Sequence, residues 1–380
     1  MNRLILIGNG FDLAHKMKTS YYDFILWYLK KVCKASQERT YNDELVEVER
    51  IHSVPFTADL DSIISLKRFL EFIRDPSQNT NEPYVLFIKT DFIRNLMITC
   101  SEYNWIDIEQ QYYLEVLNTL RGNFDQSEKH SIIKKLNDDL EYLKNQLKEY
   151  ITTQVVNKDF DFLLSPYGDE ITRGINYSDE ANLTSADIDK IEELITEGKI
   201  KETSKGKITP QSTMFLNFNY TNTIENYLNN SFIISRLGYS PFINNIHGSA
   251  KTEIIFGFGD EVDDEYINLE KQNDNEFLRH IKSFYYFKSQ DYKDLIRFIE
   301  SDNYEVYIWG HSCGLSDRTL LNMIYQNQKC KSIKIFHHKK SEEINNYTQL
   351  TQEISRHFRD KQLMRKLIVP FDANNYMHQY

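Results

Sequence analysis

Leu4-Ile5-Leu6-Ile7-Gly8-Asn9-Gly10-Phe11-Asp12 is the stretch whose reading decides the fold. Four consecutive apolar residues ending at a glycine describe a strand buried on both faces, as in a parallel sheet. Gly8 and Gly10 permit a tight turn, and Phe11 to His15 can start a helix. A strand, a glycine turn and a helix together present backbone N–H groups and a positive helix end to a phosphate. The same residues also suit a plain turn at a sheet end.

Later segments repeat the pattern. Strands are expected at Thr213 to Phe218, Phe242 to Ile246, Ile254 to Gly257, Val306 to Trp309 and Ser332 to Phe336, with Leu367 to Val369 as a further candidate. Helical spacing falls between them at Asp291 to Glu300, Asp317 to Asn327 and Glu342 to Phe358. Strands alternating with helices predict an open α/β sheet, doubly wound and mostly parallel. Residues 35–207 show little strand-like alternation. Ile64 to Ile73, Tyr84 to Ile98, Ile106 to Leu120 and Ser131 to Val156 read as helices, the last with a Leu136, Leu140, Leu143, Leu147 stripe. Residues 1–34 and 208–380 are therefore expected to form the α/β core, with 35–207 a mainly helical insertion.

Composition narrows the function. Of 380 residues, 41% are hydrophobic and 27% charged, as in a globular protein. No stretch approaches the ~20 apolar residues of a membrane span, and no secretory h-region follows Arg3, so a cytoplasmic chain without membrane partners is expected. A net charge of −11 argues against nucleic acid as a partner. The basic run His337-His338-Lys339-Lys340 reads as a solvated strand end. Cys33, Cys100, Cys313 and Cys330 contain no C-x-x-C pair, which leaves four small buried hydrophobes and no zinc ribbon.

Ligands of an open α/β sheet bind beyond the carboxyl ends of the strands. Four expected strand-end loops carry polar residues: Gly8 to Asp12, Asn217 to Glu225, Asn245 to Ser249 and Gly310 to Asp317. Asp107 and Glu109 suit an acidic first helical turn, and Glu109 is also within reach of a pocket. Asp317 suits a helix N-cap. Gly310-His311-Ser312-Cys313-Gly314 matches the Gly-x-Ser-x-Gly nucleophile elbow, which keeps a serine hydrolase using Ser312 open.

Gly8 to His15, followed by Thr19-Ser20-Tyr21-Tyr22-Asp23-Phe24, resembles the AbiH family of bacteriophage abortive-infection proteins, as do Trp105 to Glu109 and Gly310 to Asp317. Lys16-Met17-Lys18 stands where that family commonly has Gly-Leu-Pro. The loops are also distantly similar to sirtuin-like NAD-consuming domains. Asn219-Tyr220 resembles their Thr-Asn-Tyr-Asp stretch, with Thr221 in place of Asp. His247-Gly248 resembles their His-Gly loop, and Gly310-His311-Ser312 to Asp317 their Gly-Tyr-Ser loop.

These resemblances imply a Rossmann-like, sirtuin-like sheet and an antiphage protein. They imply NAD or a related nucleotide as substrate or ligand, no prosthetic group and no metal, with hydrolysis at the nicotinamide ribose. Asn219 and His247 would be catalytic. Gly8, Asn9, Gly10, Phe11, Asp12, Ser20, Tyr220, Gly248, Gly310, His311, Ser312 and Asp317 would contact the ligand. A histidine with a reference pKa near 6.5 suits a general base, and an asparagine holds water without adding charge. A nucleotide-sensing or partner-binding module without turnover is the alternative. A homo-oligomer and a phage-derived trigger are left open.

Overall fold

The computed structural model describes residues 1–50, 84–103, 107–155, 166–229, 231–341 and 344–379. At its centre lies a five-stranded, all-parallel sheet built from Asn2–Ile7, Thr213–Asn217, Phe242–Asn244, Tyr304–Trp309 and Cys330–Phe336. The expected α/β class with a parallel sheet is therefore present. Numbered along the chain, the spatial order of these strands is 5-4-1-2-3. The order reverses at the first strand, and its far end is a switch point of the kind at which open parallel sheets bind ligands.

Burial on both faces explains the apolar run at the start. Every residue of Asn2–Ile7, Thr213–Asn217 and Tyr304–Trp309 is buried. Leu4, Leu6, Met214, Val306, Ile308 and Ile333 join one apolar cluster with Leu295, Phe298, Leu321, Ile324 and Ile354 from the helices Asp291–Ser301, Arg318–Tyr325 and Tyr347–Ser355. Ile5, Ile7, Phe215, Tyr307 and Trp309 pack on the opposite face with Phe11, Tyr167, Ile171, Ile224 and Ile233. Residues two apart on one strand thus serve the same core, as the pleat requires.

Several expectations need correction. Ile254 to Gly257 is not a strand: Ile255 faces the sheet cluster while Ile254 and Phe256 face a separate, mainly helical cluster. The apolar run is a seam between two cores, which a strand pattern imitates. Leu367 ends the helix Lys361–Leu367, and Ile368 makes one parallel bridge to Ile333 at the sheet edge.

Within residues 35–207, two small antiparallel sheets occur among the helices. One joins Tyr41–Asn42, Val46–Arg50 and Tyr84–Ile88, and the other joins Ile175–Asn176, Lys207–Ile208 and Glu202–Ser204. Tyr84 to Ile98 accordingly divides into that strand and the helix Asp91–Tyr103. The alternation Val46-Glu47-Val48-Glu49 carries the strand signal, with both valines buried. The helix Gln126–Gln154 is present, opened by an Asp125/Glu128 capping box, and buries the four-leucine stripe. Ile64 to Ile73 and Trp105 lie outside the described residues. No helix of the described residues is long and apolar enough to cross a membrane.

Arg3 ties the sheet to a covering helix from the end opposite the switch point. It is fully buried, with Nε 2.5 Å from Glu305 on the adjacent strand. Its terminal nitrogens donate to the carbonyls of Ile171 at 2.8 Å and Arg173 at 2.6 Å, closing the carboxyl end of the helix Pro166–Thr172. Removing one partner of such a pair strands a buried charge, which costs about 3–5 kcal/mol. Arg3→Met is expected to destabilise by that order in chemical denaturation. Arg3→Met with Glu305→Met should recover most of the loss.

Candidate functional site

The two turns at the switch point pack backbone against backbone. Gly8 N–H donates to Trp309 O at 3.0 Å and Gly10 N–H to Gly310 O at 2.8 Å. A Cβ on Gly10 would lie 2.8 Å from Gly310 Cα, and Gly310 itself sits at φ 67°. These glycines serve the close approach of two turns. Phe11 N–H donates to Gly8 O, so the N–H groups of Gly10 and Phe11 are already occupied rather than offered to a phosphate.

Above the turns lies a cavity of about 440 Å³. Its floor is made by the strand ends, and part of its wall by Leu147, Tyr150 and Ile151 of the helix Gln126–Gln154. Gly8, Asn9, Gly10, Asp12, Ser20, Asn219, Tyr220, His247, Gly310, His311, Ser312 and Asp317 all line it. Two sequence candidates do not. Phe11 is buried and stacks on Trp309, with ring centroids 5.9 Å apart. Gly248 sits at φ 75° where any Cβ would collide with Glu253 O, so glycine there serves a turn and not ligand approach. His15 is buried beneath the first turn, between Phe11 O at 2.7 Å and the Tyr227 hydroxyl at 2.6 Å.

Asp317 organises the cavity floor. It occupies the N-cap position of Arg318–Tyr325 but makes no side-chain cap hydrogen bond. Its carboxylate turns inward, 3.2 Å from His247 Nε2, 3.5 Å from His311 Nε2 and 2.8 Å from Lys282 Nζ. Lys282 is completely buried and also lies 3.1 Å from Glu109. Burial pushes the Asp317 carboxyl up, but Lys282 and the histidines more than reverse this and hold it well below the usual carboxylate range. Burial raises Glu109, and Lys282 opposes that; the Gly257 N–H donates to Glu109 Oε1 at 2.9 Å.

The two histidines are held differently. Burial, then Lys282, push His247 down to about 4 against the pull of Asp317, so the ring is neutral near pH 7. Nε2 is the nitrogen facing Asp317 and the Tyr286 hydroxyl, the latter at 3.2 Å. The proton that Asp317 holds is therefore on Nε2. Nδ1 has no hydrogen-bond partner among the described residues and is left as the acceptor. Burial opposes a charge on His311, and its hydrogen bonds to Asp317 and Cys313 shift the balance upward. The Cys313 N–H lies 2.9 Å from His311 Nδ1, which leaves Nε2 for the proton facing Asp317.

On the opposite side, Asn219 donates through Nδ2 to Gly8 O at 3.0 Å and is buried. Thr221 donates to Asp12 Oδ2 at 2.6 Å. Burial raises Asp12 to about 6, with the Thr221 hydrogen bond opposing. Tyr220 donates to Ile255 O at 3.2 Å. No cluster of three or more His, Cys, Asp or Glu among the described residues is arranged to hold a metal ion.

A family model, Bacteriophage abortive infection AbiH, matches residues 4–339. The chain belongs to the AbiH family. That match begins within the first strand and ends beyond the last, so it spans every residue that contributes to the cavity floor. It associates this AbiH chain with abortive infection by bacteriophage. Comparison with curated proteins and with solved structures returns no significant match.

Lys282 and Tyr286 belong to the site without having been singled out in the sequence, and Asp107 was read there only as part of an acidic first helical turn. Asp107 lines the cavity while capping Ile108–Arg121 through Gln110 N at 2.9 Å. Glu109, expected in an acidic first helical turn and within reach of a pocket, lines the cavity as well. Ser312 is exposed at the cavity, but the non-glycine residue of this loop at positive φ is Cys313, at 55°. No histidine nitrogen hydrogen-bonds Ser312 Oγ among the described residues, and His357 Nε2 is committed to Cys313 O at 2.8 Å. The elbow geometry a serine nucleophile needs is not formed. Nitrogen-detected NMR of the histidine rings is expected to show His247 neutral, protonated on Nε2, down to about pH 4. Titration of that ring near 6.5 would contradict the assignment.

Proposed function

We propose that this AbiH protein binds NAD or a related nucleotide and hydrolyses it at the nicotinamide ribose. The observation that carries the reading is the Asp317–His247 pair on the cavity floor at the switch point of the parallel sheet. The 5-4-1-2-3 strand order supports assigning the sheet to the Rossmann-like, sirtuin-like type that handles dinucleotides at this position.

The reaction breaks the bond between ribose C1′ and the pyridinium nitrogen. The bonding pair stays on that nitrogen, so nicotinamide leaves neutral and needs no acid to protonate it. Water forms the new C–O bond at C1′ and gives its proton to His247 Nδ1. Asp317 holds the ring by Nε2 and stabilises the imidazolium as it forms, as the orienting acid of a triad does. Asn219 has its amide nitrogen committed to Gly8 O, which leaves the side-chain oxygen to accept from the attacking water or a ribose hydroxyl. The carboxylates of the wall favour the positive charge that develops on the sugar. Consumption of NAD would halt an infected cell, which fits the abortive-infection role of the family.

Purified protein incubated with NAD is expected to release nicotinamide and ADP-ribose, followed by chromatography. His247→Ala and Asn219→Ala should each lower the rate by about 10²-fold or more, the usual contribution of a positioned proton acceptor. Full cleavage by either variant would remove that residue from the mechanism. NAD binding without release of nicotinamide would favour a sensing module instead.

A further inference from the structure

Residues 370–379 run back past the carboxyl end of the fifth strand, Cys330–Phe336, and border the cavity there. Met377 and Gln379 line it beside Phe336 and His338, whereas His247 follows the third strand at the other edge of the sheet. The segment is fastened as a short parallel addition. The His337 N–H donates to Asn375 O at 3.1 Å, the Met377 N–H donates to His337 O at 2.8 Å, and His337 pairs with Tyr376. The Tyr167 hydroxyl donates to His378 O at 3.1 Å, and Met377 joins Tyr167 and Trp309 in one buried cluster.

This hold is slight. Residues 370–374 are exposed and form a turn closed on itself, in which Asp372 accepts from the Asn374 and Asn375 N–H groups. Such a turn keeps its own bonds whichever way the segment beyond it lies, as a hinge does. Beyond it, Met377 is the one apolar side chain fully buried among the described residues. One such side chain and a few hydrogen bonds offset the entropy of ordering the segment, which puts its release at the low-stability end of local opening. These fastenings all run to the protein itself. The segment therefore docks without borrowing contacts from a bound molecule, and its docked position helps to set the width of the cavity.

We infer that residues 370–379 are an autoinhibitory strap, which narrows the nucleotide cavity when docked on the fifth strand and opens it by swinging on the 370–374 turn. This rests on the nucleotide reading above and adds how access to that site is controlled. A ligand spanning the strand ends meets Met377 and Gln379, binds better with the strap away, and so draws the strap toward its open position. A protein that consumes NAD has to be held quiet before infection. A strap with few contacts is a brake that a small competing interaction can release.

Hydrogen exchange at the Met377 N–H reads the strap and calorimetry with NAD reads the cavity, both on the full chain. His337→Cys with Tyr376→Cys lays a disulfide across the bridge, since paired strands lie about 4.8 Å apart, within a disulfide's reach. The four native cysteines are buried and do not compete. Oxidising this pair is expected to weaken NAD binding by about tenfold or more against the same protein reduced, because the competent fraction falls. Tyr167→Phe, which loses the bond to His378 O, should speed Met377 exchange and tighten NAD binding, each by about threefold, the scale of one hydrogen bond. In the wild type, saturating NAD should speed Met377 exchange by reciprocal linkage. Equal NAD affinity in the oxidised and reduced pair would overturn the inference and leave the nucleotide site standing. Slower Met377 exchange with NAD would also overturn it, since the segment would then be closing on the ligand. Should the variants fail to fold, that wild-type response decides alone. NAD bound by no form would overturn both this and the nucleotide reading.

Discussion

Lys282 Nζ, completely buried between Glu109 and Asp317, is the contact on which the site depends. A lone ammonium at such depth would be heavily penalised, and two carboxylates at 2.8–3.1 Å compensate it. The contact joins three segments remote in sequence: the helix Ile108–Arg121, the short helix Lys282–Tyr286 and the turn ahead of Arg318–Tyr325. Because Lys282 keeps Asp317 ionised, Asp317 can accept from both His247 and His311. The cavity floor is thus an electrostatic unit before it is a binding surface.

From that unit the rest follows in steps. The parallel sheet brings the Gly8 and Gly310 turns together at the switch point, and their glycines let the backbones touch. Asn219 fastens to Gly8 O, which places its side chain over the same turn. The depressed affinity of His247 for a proton leaves it neutral, with Nδ1 the acceptor nitrogen. Membership of the AbiH family supplies the biological setting, abortive infection, and leaves the chemistry to these residues.

Much of this was legible in the sequence, for identifiable reasons. A run such as Leu4 to Ile7 has few solutions other than a strand buried on both faces. Polar residues after such runs mark carboxyl-end loops, and eleven of the thirteen candidates in those loops line one cavity, as does Ser20 from outside them. Phe11 and Gly248 lie outside the cavity lining, since each has a packing role that local sequence cannot distinguish from a ligand contact. Lys282 was invisible, since Arg279-His280-Ile281-Lys282 carries no motif and only the fold reveals that the ammonium is buried. Ile254 to Gly257 misled because a segment clamped between two cores alternates as a strand does. The Val46 to Glu49 alternation was readable but was outweighed by its helical surroundings.

The most direct test of the account is a crystal structure of His247→Ala grown with saturating NAD. The account predicts the nicotinamide ribose inside the cavity, against Asn219 and above Asp317. A cavity empty at saturation, or a nucleotide bound elsewhere on the protein, would contradict it.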